Sequence, residues 1–347
     1  MSETNRPISP AAITVGVLLL LLGAGAVLWS ILSPGANTLV VYCSHDLVYA
    51  EPIIREFEKR TGIEVVLVAD TEASKSLGLV QKILAEKDRP TCDVFWNNEQ
   101  LGMMDLAKAD ALEIYKGTGW ERMPDRSKHP AGLWTGFAAR MRVWIVNTDH
   151  AEATQPGLKK VLEEQMSRVG IAKPIYGTTR THYTVLWHLW GEEKTKAWHM
   201  EWREGGIIEL PGNGPVARQV GSGTLYLGLT DTDDAFDQID QKKPVAIMPV
   251  ELENGHAVII PNTVAIIKGT RKKDAARKLV DFLLSAEVEL MLADSKARQI
   301  PLGPVDEAKL NEDVKKLLPW AAKAYPLGAL DEASAECLAW LREEYVK

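Results

Sequence analysis

Three carboxylates lie within one short stretch of the chain, Thr230-Asp231-Thr232-Asp233-Asp234. Like charges this close repel one another unless a cation or a helix N-terminus offsets them. Two interpretations therefore fit: the acids begin a helix, or they contact a cation or another polar ligand. A calcium loop of the helix-loop-helix type is excluded, because the stretch lacks the glycine and the terminal glutamate of that pattern.

Polar residues also follow two apolar, strand-like runs in the first half of the chain. Ser44-His45-Asp46 follows the first run and Asn97-Asn98-Glu99 the third. An imidazole and a carboxylate both bind metal ions, so His45 and Glu99 are candidate ligands. Each also has an ordinary alternative, a histidine packed in a loop and a glutamate that caps its helix.

A third polar group, Thr178-Thr179-Arg180, stands at the start of an apolar helix-like segment. Hydroxyls, unpaired backbone amides and a guanidinium together can bind an anion. The same residues can also simply cap and solvate the helix. Since ligands of open α/β sheets bind beyond the carboxyl ends of the strands, we expect all these loops to meet at one cleft.

The order of elements predicts how the loops are held. Strand-like and helix-like segments alternate from residue 38 onwards, which indicates βαβ units and a mostly parallel sheet. The alternation restarts after a long apolar run, Phe137–Asn147, and Asn262–Lys268 can return the chain to the first sheet. The sequence thus predicts two α/β lobes joined by two connecting strands. We assign residues 38–140 and 262–347 to lobe 1, including a closing helix at 332–345, and residues 141–261 to lobe 2.

The start of the chain carries an apolar segment. Ala11–Leu32 has 22 residues and no charge, enough for a helix to span a hydrocarbon core of about 30 Å. We expect residues 11–33, after a short tail at 1–10, to form an uncleaved transmembrane anchor. The alternative is a cleaved secretory signal, although the segment ends in a poor cleavage site. Either way, the rest of the chain is expected in the periplasm or outside the cell.

Composition excludes other classes of protein. The 347 residues carry a net charge of −7, which argues against a nucleic-acid surface. Three cysteines, Cys43, Cys92 and Cys337, cannot form a disulfide framework and suit buried apolar positions. The chain has no phosphate-binding loop, nucleophile elbow or zinc-protease motif, so we do not expect an enzyme or a prosthetic group.

The order and the amino-acid sequences of these motifs resemble those of the ferric-iron-type (family 1) solute-binding proteins of ABC importers. The likeness covers about residues 38–302 and includes these motifs, in chain order: Leu39–Tyr42, Ser44–Asp46, Phe57–Val65, Cys92–Glu99, Gly136–Arg140, Val146–Asp149, Leu227–Thr230, Ile260–Ala265 and Leu279–Ser285. The resemblance implies the type II periplasmic-binding fold, a monomer that delivers its ligand to a membrane permease, and ligand capture by closure of the lobes.

The resemblance also implies a set of ligands. His45 and Glu99 match the histidine and glutamate that hold iron in this family, but Asp233-Asp234 stands where the family has two tyrosines. The loss of both phenols puts ferric specificity in doubt, while the resulting N/O donor set still suits iron or a divalent ion. The full predicted site also includes residues for an accompanying anion and the hinge, namely Asn98, Arg140, Thr178, Thr179, Arg180, Asn213 and Asp231.

Several functions stay open at this point. The leading hypothesis is a receptor for a metal ion, with or without a bound anion. A phosphorylated or phosphonate organic solute and a polyamine are alternatives within the same class. A membrane-anchored enzyme that uses the same cleft, or a sensor that binds protein, are alternatives from other classes.

Overall fold

A computed structural model describes residues 38–70 and 77–346 of the chain. The predicted anchor or signal at 11–33 lies outside these residues. Within them, no helix is long and apolar enough to cross a membrane.

The first lobe is built on a sheet in which β1 (Thr38–Cys43) pairs in parallel with β2 (Glu64–Ala69) and β3 (Val94–Asn97), while β3 pairs with the antiparallel β10 (Ile259–Ile267). Every residue of β1 is buried, as expected for a strand covered by helices on both faces. The elements of this lobe are β1 (Thr38–Cys43), α1 (Leu47–Thr61), β2 (Glu64–Ala69), α2 (Leu77–Ala85), β3 (Val94–Asn97), α3 (Leu101–Lys108), β4 (Leu112–Glu113), α4 (Thr118–Arg122), β10 (Ile259–Ile267), α10 (Lys273–Leu283) and α11 (Ala286–Asp294).

One long strand, β5 (Thr135–Asn147), runs through both lobes. Its first half pairs with β10, and its second half pairs with β8 (Leu227–Asp231) and β9 (Val245–Pro249). The chain returns beside it, where the Arg142 amide donates to the Val258 carbonyl at 2.9 Å. These two adjacent crossings form the hinge region, as the alternation of segments predicts.

The second lobe contains a smaller sheet in which β6 (Val169–Ala172) pairs in parallel with β7 (Ile208–Leu210) and β8. Its elements are α5 (Gln155–Glu164), β6 (Val169–Ala172), α6 (Gly177–Trp190), α7 (Glu192–Glu204), β7 (Ile208–Leu210), α8 (Asn213–Gly221), β8 (Leu227–Asp231), α9 (Thr232–Asp240) and β9 (Val245–Pro249). The prediction of an α/β fold with two lobes is confirmed.

The end of the chain departs from the expectation. Two helices follow the first lobe, α12 (Glu312–Ala321) and α13 (Asp331–Tyr345). The closing helix α13 packs mainly on α6 of the second lobe, although it also contacts α3. Its Trp340 ring lies 5.5 Å from that of Trp187, whose indole N–H donates to Glu336 at 3.1 Å. The prediction that this helix packs on the first lobe was wrong, because its apolar face fits the aromatic face of α6.

Candidate functional site

A cleft of about 260 Å³ lies between the two lobes, at the carboxyl ends of their strands. Most of its wall belongs to the second lobe. The residues that line it are Asp46, Asn98, Arg140, Ala172, Lys173, Tyr176, Gly177, Thr178, Thr179, Pro211, Gly212, Asn213, Gly214, Pro215, Arg218, Asp231, Asp233 and Asp234.

Three helices of the second lobe begin at this cleft. The first turns of α6, α8 and α9 all contribute lining residues. The four N–H groups that begin each helix have no partner within the helix, and the helix dipole is positive at this end. This wall therefore attracts negative charge, whether that charge comes from side chains or from a ligand.

The acidic side chains at the start of α9 form one compact group. Carboxylate oxygens of Asp231, Asp233 and Asp234 lie within 4.8 Å of one another, and Asp231 and Asp233 are buried. Among the residues that the structure describes, these three carboxylates are close enough together to hold a metal ion. Oxygen donors of this kind suit hard cations.

A network of hydrogen bonds joins this group to the other two helices. The Thr178 hydroxyl at the start of α6 donates to Asp231 Oδ2 at 2.5 Å. The Asn213 side-chain amide at the start of α8 donates to Thr178 Oγ1 at 2.8 Å and to Asp231 Oδ2 at 3.1 Å. The Thr179 hydroxyl donates to Asn213 Oδ1 at 3.2 Å. These hydrogen bonds hold the first turns of the three helices together as one wall of the cleft.

Two arginines of β5 offset the negative charge. Arg142 Nη1 lies 2.8 Å from Asp231 Oδ1. Arg140 Nε lies 3.6 Å from Asp231 Oδ2 and 3.9 Å from Asp233 Oδ2, and its Nη2 donates to the Asn98 carbonyl of the first lobe at 2.8 Å. Arg140 therefore contacts both walls of the cleft, at the hinge where the resemblance places it.

Eight of the eleven predicted site residues line the cleft: Asn98, Arg140, Thr178, Thr179, Asn213, Asp231, Asp233 and Asp234. The four predicted metal ligands are not brought together, because His45 and Glu99 lie outside the acidic group. The remaining predicted residue, Arg180, is not among the residues that line the cleft.

Glu99 caps a helix instead of facing the cleft. Its carboxylate accepts from the backbone amide of Leu101 at 2.5 Å and from that of Gly102 at 2.8 Å, at the start of α3. Burial raises the pKa of the Glu99 carboxyl, while Arg180 and the two amides oppose this shift. The capping alternative is therefore the one that the structure supports.

His45 and Arg180 are held by other contacts. The His45 ring stacks on Trp96 at 5.4 Å, and its Nε2 lies 3.3 Å from the Gln299 amide nitrogen. Arg180 Nη2 pairs with Asp105 of α3 at 3.1 Å and donates to Ser334 at 3.0 Å. Arg180 is two residues beyond Thr178 in α6, which is about 200° around the helix axis, so it points away from the cleft.

Several residues of the cleft were not predicted from the sequence. Asp46, named above only as part of the loop Ser44–Asp46, lines the cleft from the first lobe, and Lys173, Tyr176 and Arg218 line it from the second. Arg142 was missed although a signal existed: it is two residues after Arg140 on one strand, so both project from the same face. Nothing in the sequence motifs marks Lys173 or Arg218.

A narrower annex of about 110 Å³ continues the cleft beside α1. Tyr49 lines it together with Asp46, Asp233, Asp234 and other residues of α8 and α9. Burial, and then the charges of Asp233 and Asp46, raise the pKa of the Tyr49 phenol. The phenol is thus neutral at physiological pH and lies opposite the acidic group.

Comparisons with known proteins agree with this geometry. Residues 39–295 match the family model described as bacterial extracellular solute-binding protein. The chain is 24% identical to the major ferric iron-binding protein of Neisseria meningitidis, over 82% of this chain and 87% of the relative. The structure is similar to that of iron-bound HitA from Pseudomonas aeruginosa, with a TM-score of 0.77 and 20% identity over 89% of this chain and 99% of that one.

Another similar structure carries a different ligand. It is the periplasmic binding protein AfuA from Actinobacillus pleuropneumoniae with fructose-6-phosphate bound, with a TM-score of 0.70 and 21% identity over 89% of this chain and 97% of that one. Likenesses at this level of identity define the fold but not the ligand. The family match covers most of the chain, and the chain belongs to the bacterial extracellular solute-binding proteins.

Proposed function

We propose that the protein is the receptor of an ABC importer and captures a metal ion as its cargo, with or without an accompanying anion. The observation that carries the proposal is the position of the carboxylates. Asp231, Asp233 and Asp234 form one compact group at the start of α9, and Asp46 of the other lobe lines the same cleft. Carboxylates contributed from both lobes suit a cation that is enclosed when the lobes close.

The rest of the wall suits the anion that would accompany the metal. The hydroxyls of Thr178 and Thr179 and the first turn of α8 lie beside the acidic group. Backbone amides at a helix start bind oxyanions, and an anion here would complete the coordination of the cation.

A second candidate ligand is a phosphorylated organic solute, such as a sugar phosphate. It is favoured by two exposed cationic side chains of the second-lobe wall, Lys173 directly after β6 and Arg218 within α8. The similarity to a binding protein with fructose-6-phosphate bound supports the same alternative. A polyamine fits less well, because these cations would repel it.

The proposed place of action is outside the cytoplasmic membrane. The receptor would deliver its cargo to an ABC permease and be held at the membrane by the segment 11–33, or be released there if that segment is cleaved. We propose a binding role without catalysis, in a monomer.

A thermal-shift screen of the protein from residue 38 onwards tests the proposal. The ligands are iron and divalent metals, phosphate, sugar phosphates, phosphonates and polyamines. A ligand at a hundred times its dissociation constant stabilises the folded state by about 2.7 kcal/mol. A shift with a metal that disappears when Asp233 and Asp234 are both replaced by Asn supports the metal receptor. A shift only with phosphorylated solutes would contradict it and favour the second candidate.

A further inference from the structure

The ladder between β5 and β10 contains a bulge close to the crossing between the lobes. The register of the two strands shifts between Pro261 and Asn262, which makes Ala138 the extra residue on β5. β10 pairs with β3 of the first-lobe sheet from Thr263 to Ile266. The bulge therefore lies at the edge of that sheet, where β5 and β10 continue towards the second lobe.

The bulge holds Ala138 in a backbone conformation that its side chain disfavours. The φ of Ala138 is +36°, in the left-handed region, where the Cβ atom of an L-residue crowds the backbone. Two buried side chains bind its backbone groups: the Ala138 amide donates to Glu289 at 2.9 Å, and its carbonyl accepts from the Asn262 side-chain amide at 2.5 Å. Strain of this kind persists only where the surroundings hold it. Asn262 and Glu289 therefore hold the bulge.

The side chain of Asn262 also connects the bulge to the cleft. Asn262 is 0% exposed; its Nδ2 donates to Gln299 Oε1 at 2.7 Å, and its Oδ1 accepts from Arg140 Nη1 at 3.3 Å. The Nε of Arg140 in turn lies 3.6 Å from Asp231 and 3.9 Å from Asp233. A continuous path of buried polar contacts thus joins the bulge to the acidic group.

Gln299 joins this path to a third segment of the chain. Ile300, the next residue, exchanges two backbone hydrogen bonds with Ala139 of β5, each 2.7 Å long. The Gln299 side-chain amide also lies 3.3 Å from the His45 ring, in the loop that follows β1. Asn262 is therefore in contact with β5 and with this third segment at once, at the point where both meet β10.

We propose that Asn262 is a positioning residue for capture of the cargo: it holds the Ala138 bulge and the Arg140 guanidinium in one arrangement, and so sets the angle between the lobes from which the cleft closes. Without the Asn262 side chain, Ala138 returns to a negative φ and the strands bend differently. Arg140 then keeps its bond to the Asn98 carbonyl but loses the other contact that directs it towards the acidic group. The effect on affinity rests on the proposed function, whereas the angle between the lobes exists without any cargo.

Spin labels on the two lobes report this angle in the metal-free protein. Lys59→Cys in α1 and Lys159→Cys in α5 suit the labels, because both side chains are exposed and the native cysteines are buried. Asn262→Ala should shift the mean distance between the labels by about 3 Å or more and broaden its distribution. In isothermal titration calorimetry the same variant should bind Mn²⁺ about tenfold more weakly, since only part of the population has the binding arrangement.

A second change separates positioning from loss of packing. Glycine adopts a positive φ readily, so Ala138→Gly added to Asn262→Ala should return the label distance to that of wild type. It should recover part of the Mn²⁺ affinity, because the contact with Arg140 stays lost. The matched control is Asn147, a buried asparagine at the other end of β5 whose amide donates to the Val220 carbonyl at 2.8 Å. Asn147→Ala should lower the melting temperature without moving the labels or changing the affinity.

Two results would overturn the inference: a label distance in Asn262→Ala that matches wild type, or a shift that Ala138→Gly does not reduce. The second would mean that Asn262 only fills space in the core. If Asn262→Ala does not fold, Gln299→Met decides, since it removes one partner of Asn262 with little change in volume; it should broaden the distance distribution, and an unchanged distribution would overturn the inference. If wild type does not bind Mn²⁺, the proposed metal receptor fails, while the label distances in the metal-free protein still decide the inference.

Discussion

The two walls of the cleft differ in how much of the site each one supplies. The second lobe contributes fifteen lining residues and the first lobe two, Asp46 and Asn98, with Arg140 on the strand between them. The second-lobe residues are also bonded to one another across three helix starts, through Thr178, Asn213 and Asp231. A preorganised wall binds without the cost of ordering its side chains. We infer that the ligand binds first to the second lobe and that the first lobe then closes over it.

The largest effect is expected from the second-lobe wall. Asp233→Asn together with Asp234→Asn removes the two acids that we place against the cargo, so metal affinity should fall by on the order of a hundredfold or more. The melting temperature should change little, because the change also removes repulsion between neighbouring acids. Calorimetry and thermal melts measure the two effects.

The matched control for that pair lies at the other end of α9. Asp240 is bound by Arg298 at 2.7 Å, far from the cleft wall, so Asp240→Asn should lower stability without changing affinity. Unchanged metal binding in the Asp233/Asp234 variant would contradict the view that the second-lobe wall supplies most of the binding site.

A smaller effect is expected from the first-lobe wall. Asp46→Asn removes one carboxylate that the cargo meets only after closure, so affinity should fall by about tenfold, mainly through faster dissociation. Stopped-flow measurement of the dissociation rate of Mn²⁺ checks this prediction. A loss as large as that of the second-lobe pair would mean that the two walls share the ligand equally.

Acid should destabilise the fold through a histidine behind the second-lobe wall. Burial, and secondly the charge of Arg142, lower the pKa of His182 to about 3 from an ordinary value of 6.5. The unfolded chain then binds a proton that the folded chain does not, so this contribution to stability is present above pH 6.5 and is lost as pH falls towards 3.

Urea unfolding at a series of pH values compares wild type with His182→Gln. The variant should lose less stability between pH 6.5 and 4 than wild type does. Parallel pH curves for His182→Gln and wild type would contradict the assignment.

The smallest effect on binding is expected at Glu99, a residue that was predicted from the sequence to be a metal ligand. Glu99→Gln should leave metal affinity within about twofold, since the side chain caps α3 and does not face the cleft. Because burial raises the pKa of this carboxyl, its contribution to stability is full at low pH and decreases as pH rises above the unfolded value near 4.5. The stability of Glu99→Gln, measured by urea unfolding, should therefore not show that decrease as pH rises. A large loss of affinity would restore Glu99 as a ligand.

Sequence patterns predicted the fold better than the site. Alternating strand and helix periods fixed the two lobes and the long strand β5, because both depend on local apolar spacing. They also placed Thr178 and Asp233 at the cleft, since loops at the carboxyl ends of strands meet there.

The remaining differences between the predicted and the observed positions come from side-chain direction. The direction of the Glu99 side chain depends on where α3 begins, which is two residues later, at Leu101. The direction of the Arg180 side chain depends on its angular position around the axis of α6. Neither the helix start nor the rotation is fixed by residue type. The packing of α13 depends on tertiary fit between aromatic faces, such as Trp187 with Trp340, which lie far apart in the chain.

The most direct test of the account is a crystal structure of the protein grown with Mn²⁺, with anomalous difference maps to locate the ion. We predict a single strong peak in the cleft, from an ion bound by carboxylate oxygens of Asp233 and Asp234 and approached by Asp46. A peak at His45 and Glu99, or no peak in the cleft at a concentration that saturates binding in solution, would contradict it.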